Sequence, residues 1–441
     1  MNNRPKTPHG FARLIIGDGS AVSEQKNIIW NMIGSFLYAF ASMVLSIAVV
    51  QLAGEDAGGV FTFAFTTFGQ HMFMAAYFGI RPFQITDTGE KYTFGDYLGL
   101  RLITCGLAIL VGFGYVLVSG YTFEKAAVVF LMVVYKVIDA LADTYEAEFQ
   151  RSGRLYLTGK SNTFRTILSV AVFLITLQLS GNLLTASFGA VVAQLAGVAL
   201  FNLTVIRAGV LPDVRFEADT KACLRLLKNT ALLFVSVFLD FYVFSAAKYA
   251  IDLQLTDAMS GYFNILFMPT SVIYLVANFV IRPFLTRLTE CWDKQDFDGF
   301  GKIRRQIAMV IGGLTVLAVA GTLLLGRPVL GIMERILGAG YEGSLTAHWI
   351  PFVIIILGGG LYALANLYYY LLVIMRRQGI IFLVYLAAAA AAWLASPVLV
   401  KTFAIMGASV CYVGLMGGLV LGFGAVQALL FRRAKEVDYD H

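Results

Sequence analysis

The 441 residues are 59% hydrophobic and only 14% charged, with a mean hydropathy of +0.76. A soluble domain carries about 25% charged residues, so composition excludes a water-soluble globular protein and indicates a polytopic membrane protein. The formal net charge of +6 is not a nucleic-acid signature, because the basic residues lie in short loops between apolar runs, where they report topology.

Residues 1–26 are polar and basic, with Arg4, Lys6, Arg13 and Lys26. They predict a cytoplasmic segment without a cleavable signal, since the first apolar run is far too long for a signal h-region. At about 20 apolar residues per crossing, the remainder predicts about twelve helices: 27–52, 56–80, 97–120, 124–147, 158–180, 184–207, 227–250, 258–284, 306–326, 349–374, 378–400 and 403–430. The first lobe then covers 27–207, a basic cytoplasmic linker 208–226 (Leu211-Pro212-Asp213-Val214-Arg215, Lys221, Arg225), the second lobe 227–430 and a cytoplasmic tail 431–441. Most of the 33 Lys and Arg residues fall at the amino terminus, in the even-numbered loops and in the tail. Lys125, Arg327, Arg335 and Lys401 are the exceptions in the odd-numbered loops. The positive-inside rule therefore predicts a multi-pass protein with both termini cytoplasmic. Cys105, Cys223, Cys291 and Cys411 show no C-x-x-C spacing and read as free thiols.

Two stretches recur at one constant offset. Asp56-Ala57 returns as Asp257-Ala258, and Ala76-Tyr77-Phe78-Gly79-Ile80-Arg81-Pro82-Phe83 returns as Ala277-Asn278-Phe279-Val280-Ile281-Arg282-Pro283-Phe284. A shared helix start and a shared helix end point to duplication of a whole lobe. An even number of crossings separates the copies, so both enter the membrane with the same polarity. The expected architecture is all-α, in two parallel six-helix lobes of the kind many transporters use, with the helix at 56–80 superposing on that at 258–284.

Charges inside apolar spans each cost about 2.5–3.5 kcal/mol at mid-bilayer unless they face protein or water. The fourth span is the densest: Lys136, Asp139, Asp143 and Glu146 follow helical spacing and share one face. Such a stripe looks into protein or a cavity. It either lines a hydrated cavity or, as a Lys136–Asp139 pair, glues helices together. Lys136 reads as the only cation near mid-depth of the first lobe. Asp240, near the middle of the seventh span, either meets a cation, a proton or Lys136, or makes a buried interhelical hydrogen bond. Lys248 can snorkel to the outer interface. Arg81 and Arg282 each precede a proline that ends or kinks its span. Topology alone accounts for an arginine there, but a pair of them would form a basic rim at a cavity mouth, and guanidinium binds diphosphate oxygens bidentately. His71, Gln70, Gln194, Asn31 and Asn366 read first as helix-packing hydrogen bonds.

An enzyme is the weaker reading. Asp139 and Asp143 have a spacing that can hold Mg²⁺, but the further acids, glycines and arginine of the CDP-alcohol phosphotransferase motif are missing from Ile138-Asp139-Ala140-Leu141-Ala142-Asp143. No Ser-His-Asp order, zinc spacing or nucleotide loop is present. The sequence thus predicts no catalytic residue, no metal and no cofactor.

Asn31, the hairpin Gln51-Leu52-Ala53-Gly54-Glu55-Asp56-Ala57-Gly58-Gly59-Val60-Phe61 and the run Phe149-Gln150-Arg151-Ser152-Gly153-Arg154 resemble the polysaccharide-export branch of the multidrug/oligosaccharidyl-lipid/polysaccharide (MOP) flippase superfamily. Gln51 stands where that branch usually has arginine, so no role of that arginine carries over. The resemblance implies a plasma-membrane flippase that moves an undecaprenyl-diphosphate-linked oligosaccharide to the outer leaflet for surface polysaccharide synthesis, by rocking of the lobes and with H⁺ or Na⁺ as a possible coupling ion. Lys136 would then hold the diphosphate mainly, helped by Arg81 and Arg282, with Asp139 and Asp240 setting the charge balance and Asp143 lining the same cavity. The rival within the superfamily is a MATE-type drug/cation antiporter. Its bacterial branch commonly carries an acid in the first helix, and the span 27–52 has none.

Overall fold

The computed structural model describes residues 15–17, 23–87, 91–208, 211, 214 and 216–439. Arg4, Lys6 and Arg13 of the amino-terminal segment, and Pro212, Asp213 and Arg215 of the linker, lie outside the described residues.

Every regular element among the described residues is helical. In chain order they are α1 (Glu24–Ala53), α2 (Glu55–Thr62), a π-helical turn (Phe63–Phe68), α3 (Gly69–Tyr77), α4 (Ile80–Thr86), α5 (Phe94–Val118), α6 (Phe123–Arg151), α7 (Leu155–Ser180) and α8 (Leu183–Gly197). A second π-helical turn (Val198–Leu203), α9 (Thr204–Arg207), α10 (Thr220–Gln254), α11 (Asp257–Asp293), α12 (Phe297–Leu337), α13 (Trp349–Ile374) and α14 (Gln378–Tyr439) follow. Nine helical stretches among the described residues are long and apolar enough to cross a membrane. The broken second crossing and the charge-bearing α6 are not among them, and α14 counts once although the non-helical Ala404 (φ 48°, ψ −130°) divides it. Val118, Leu179 and Leu324 leave 79% or more of their surface uncovered, among many exposed large apolar side chains along these helices, an apolar surface too extensive for water and suited to lipid. This is a multi-pass membrane protein.

The chain forms two compact units, Met1–Phe234 and Val235–His441. The division falls inside α10, and residues 220–226 of the stretch read as a linker are helical. In the first unit, Ala222 and Leu226 on the first turns of α10 pack into a core with Ile80, Tyr92, Tyr97 and Leu100. The α1–α7 contact is close enough to require glycine: a Cβ on Gly159 would lie 2.1 Å from the Trp30 carbonyl oxygen.

The two copies of the repeated segment begin alike and end differently. The first is interrupted by the π turn and then breaks at Phe78 (φ 50°) and Gly79 (φ 65°), both left-handed, before α4 restarts with Arg81. The second, α11, runs unbroken through Pro269 and Pro283 to Asp293. The residues explain the contrast. Gly79 accepts a positive φ at no steric cost, whereas the β-branched Val280 at its equivalent position does not. Phe78 bears a strain of about 1–2 kcal/mol, offset by stacking on Phe234 at 3.9 Å between centroids. Pro82 sits in the first turn of α4, where no intrahelical donor is needed, so the break precedes the proline, and Pro283 does not end its helix.

Candidate functional site

Helix α6 carries the charged face. Its buried residues include Lys136, Asp139, Asp143, Glu146 and Glu148, and a tight turn through Ser152 and Gly153, closed by Arg154 N donating to the Phe149 carbonyl (2.8 Å), lays α7 antiparallel beside it. That register sets Thr158 against Glu146, the Thr158 hydroxyl donating to the Glu146 carbonyl at 2.7 Å. Two turns further on, Arg165 reaches two carboxylates at once: Nη1 donates to Glu146 Oε1 (2.5 Å) and Nη2 to Asp139 Oδ1 (2.9 Å). Arg165, Asp139 and Glu146 are all at least nine-tenths buried.

Each carboxylate on this face has further partners. Gln194 Nε2 donates to Asp139 Oδ1 (2.8 Å) and the Tyr38 hydroxyl to Asp139 Oδ2 (2.7 Å). Asn202, carried on the second π turn, donates to Glu146 Oε1 (3.4 Å). Asp143 is held by two arginines, Arg81 from α4 and Arg101 from α5 (Nη2 to Oδ2, 3.2 Å). Arg101 is fully buried and also donates to Thr144 Oγ1 (2.7 Å) and the Ala76 carbonyl (2.9 Å). Arg81 keeps 21% of its side-chain surface exposed and donates to Gln150 Oε1 (2.9 Å). Further along α6, Gln84 Nε2 donates to Glu148 Oε2 (3.0 Å) and Arg151 Nη2 to Glu148 Oε1 (2.9 Å).

Lys136 does not bond Asp139. Its ammonium donates to the Tyr38 hydroxyl (3.0 Å) and Gln70 Oε1 (3.3 Å) and lies 4.0 Å from the centre of the Phe65 ring, which the first π turn presents. Tyr38 thus relays between Lys136 and Asp139, accepting from one and donating to the other. π turns are frequent at functional sites, and both of those in the first unit deliver a side chain to this network.

The network borders a cavity of about 400 Å³, among whose lining residues are Asn31, Tyr38, Gln70, Arg81, Asp143 and Arg165. That is the lower part of the usual ligand-pocket range of about 300–1,000 Å³. Arg81, Arg101, Lys136 and Arg165 stand against Asp139, Asp143 and Glu146, and Arg151 beside them faces Glu148 and, at 4.0 Å, Asp87. Arg81, Lys136, Asp139 and Asp143 are therefore brought together as the sequence grouped them, but Lys136 is not the lone deep cation: Arg101 and Arg165 are as buried as it is. Arg101 lies about one turn inside the predicted third span, and Arg165 falls near the start of the predicted fifth span among Lys160, Ser161 and Asn162, where it counts as one of the basic residues after the fourth span. The Tyr38 contact had no sequence signal, whereas Gln194, read as a helix-packing hydrogen bond, makes one to Asp139.

Asp240 and Arg282 belong to the second unit. Asp240 accepts from the Tyr362 hydroxyl (2.8 Å) amid aromatic rings, with Tyr274 stacked on Tyr362 at 5.5 Å and Phe244 against it at 4.8 Å. The other oxygen of Asp240, Oδ1, is buried without a hydrogen-bond partner. Arg282 is exposed on α11. All four cysteines are free and buried. Among the described residues no group of three or more His, Cys, Asp or Glu is arranged to hold a metal.

No protein-family model matches the sequence, and no curated protein matches it. Solved structures do. An inward-facing multidrug-resistance MATE family transporter of the MOP superfamily aligns with a TM-score of 0.67 at 13% identity, over 96% of this chain and 98% of that one. The MATE multidrug transporter DinF-BH aligns with a TM-score of 0.62 at 13% identity, over 98% of each chain. A variant of the Vibrio cholerae MATE transporter VcmN gives 0.58 at 13% identity, over 97% of each chain. At this identity the likeness is one of fold: the chain has the helical fold of MATE and MOP transporters along nearly its whole length.

Proposed function

We propose that this protein is a flippase of the cell membrane, both termini cytoplasmic, that moves a polyprenyl-diphosphate-linked oligosaccharide from the inner to the outer leaflet by alternating access. The observation that supports this reading is the way Asp143 is shared. Arg101 holds it from full burial while Arg81, on the detached helix α4, holds it from the cavity side. Arg81 can turn from Asp143 to an incoming diphosphate without leaving that carboxylate unpaired, which would otherwise cost about 3–5 kcal/mol. A guanidinium suits diphosphate oxygens, and the amides and hydroxyls of Asn31, Ser35, Thr158 and Asn162 on the same wall suit sugar. Lys136 supports the site through Tyr38 and Gln70, Asp139 and Asp143 balance its charge, and Arg282 gives the second unit a basic group at the level of its repeat.

A second reading, MATE-like antiport of an organic cation, is favoured by Asp240 and its aromatic surround, since a carboxylate among π faces suits a cation. In the flippase reading the same acid serves the coupling ion, H⁺ or Na⁺. Proteoliposomes separate the two. The flippase reading expects polyprenyl-diphosphate sugar to cross, Arg81→Gln to slow it at least tenfold, and an organic cation dye not to be exchanged. Dye exchange that needs Asp240, with no lipid movement, would refute it.

A further inference from the structure

The second unit holds a larger opening that the transport reading does not use. It lies between the first turns of α12 and the last turns of α14, has a volume of about 1130 Å³, and is lined by Lys302, Arg304, Arg305 and Lys435 at one end and by Met309, Val420 and Leu421 at the other. The two helices run antiparallel here, so depth increases together along both: Asp298 with Lys435 (2.8 Å), then Arg304 with Gln427, then the apolar positions. The outermost pair is closed by an exposed ion pair, but Lys302 and Arg305 are exposed cations, and among the described residues Asp298 is the one acid on this wall.

Two details mark this as more than a solvated loop. Arg304 is fixed, its Nη1 donating to Gln427 Oε1 (2.9 Å) and its guanidinium lying 5.0 Å from the centre of the Phe431 ring. Gln427 is 1% exposed, yet its Nε2 donor has no hydrogen-bond partner. A buried donor left unsatisfied costs about 1–3 kcal/mol, and this one lies on the wall of a cationic opening. Met309 and Leu421, 60% and 73% exposed, continue the groove as an apolar track toward the bilayer interior.

We propose that this groove binds one anionic phospholipid of the surrounding leaflet. Its phosphate lies between Lys302, Arg304 and Arg305, Gln427 Nε2 donates to a phosphate or ester oxygen, and an acyl chain runs along Met309, Val420 and Leu421. Charge complementarity selects an anionic over a zwitterionic headgroup, as basic pockets between membrane helices do. The depth order of cations before apolar side chains selects a lipid over a free anion.

The test is native mass spectrometry of the full chain in detergent, titrated with phosphatidylglycerol or phosphatidylcholine. Phosphatidylglycerol should bind more tightly, and the exposed double variant Lys302→Gln/Arg305→Gln should weaken it on the order of 10- to 30-fold, each charge near the surface counting for about one kcal/mol. Gln427→Leu should weaken it several-fold. The control Arg287→Gln/Lys294→Gln, which removes two cations outside the groove, should leave it within twofold. Equal losses in the two double variants, equal binding of the two lipids, unchanged binding in Gln427→Leu, or displacement of phosphatidylglycerol by equimolar glycerol phosphate would each overturn the proposal.

Discussion

Replacing Arg165 with Met removes the one cation that serves both Asp139 and Glu146, at 2.9 Å and 2.5 Å. At these separations, with an effective permittivity near 20, each pair attracts by roughly 6 kcal/mol, most of it offset by the desolvation of three buried charges. The net worth of the triad is therefore small, but the penalty for breaking it is not. Asp139 keeps Tyr38 and Gln194 as donors and Glu146 keeps Asn202, yet neither retains a directly bonded cation, Lys136 reaching Asp139 only through Tyr38. Breaking a buried pair costs about 3–5 kcal/mol, which Arg165→Met should show in equilibrium unfolding in mixed micelles. The triple variant Arg165→Met/Asp139→Asn/Glu146→Gln removes all three charges while preserving shape and the acceptors for Tyr38 and Asn202, and should return to within about 1–2 kcal/mol of the parent, since a neutral replacement of a buried ion cluster is often tolerated. A single variant as stable as the parent would mean that no net charge needs compensating here. A triple variant no better than the single would mean that Arg165 acts through packing.

Gly159→Ala should destabilise the protein by about 1–3 kcal/mol, because the new methyl meets the Trp30 backbone and not a side chain that can swing away; parental stability would show that α1 and α7 separate readily. Cysteines at Ser35 and Asn162, on the cavity wall, should react with a small charged thiol reagent, whereas one at Thr144, which is fully buried, should stay inert; equal labelling of all three would refute the cavity. Lys136→Met should lower transport at least tenfold with the protein still in the membrane. Unimpaired transport by Lys136→Gln, which can still donate to Tyr38 and Gln70, would make Lys136 a structural hydrogen-bonding partner only.

Much of the fold is decided by local chemistry and so was legible in the sequence. Crossing a bilayer requires runs of about 20 apolar residues with internally satisfied backbones, and those runs are continuous in the chain, as is the helical spacing that lines up Lys136, Asp139, Asp143 and Glu146 on α6. The same spacing does not say what faces them. Arg101 and Arg165 come from α5 and α7, Tyr38 from α1 and Gln194 from α8, and ion pairing between helices depends on their register, which no single helix encodes. Repeat symmetry misleads for the same reason: Arg81 and Arg282 share a tetrapeptide, but one glycine against one valine turns the first onto a detached helix and leaves the second on a straight one. Residue type and periodicity determined that charges had to be hidden from lipid; only packing decided that Lys136 would reach Asp139 through a tyrosine and that Asp143 would be shared by two arginines.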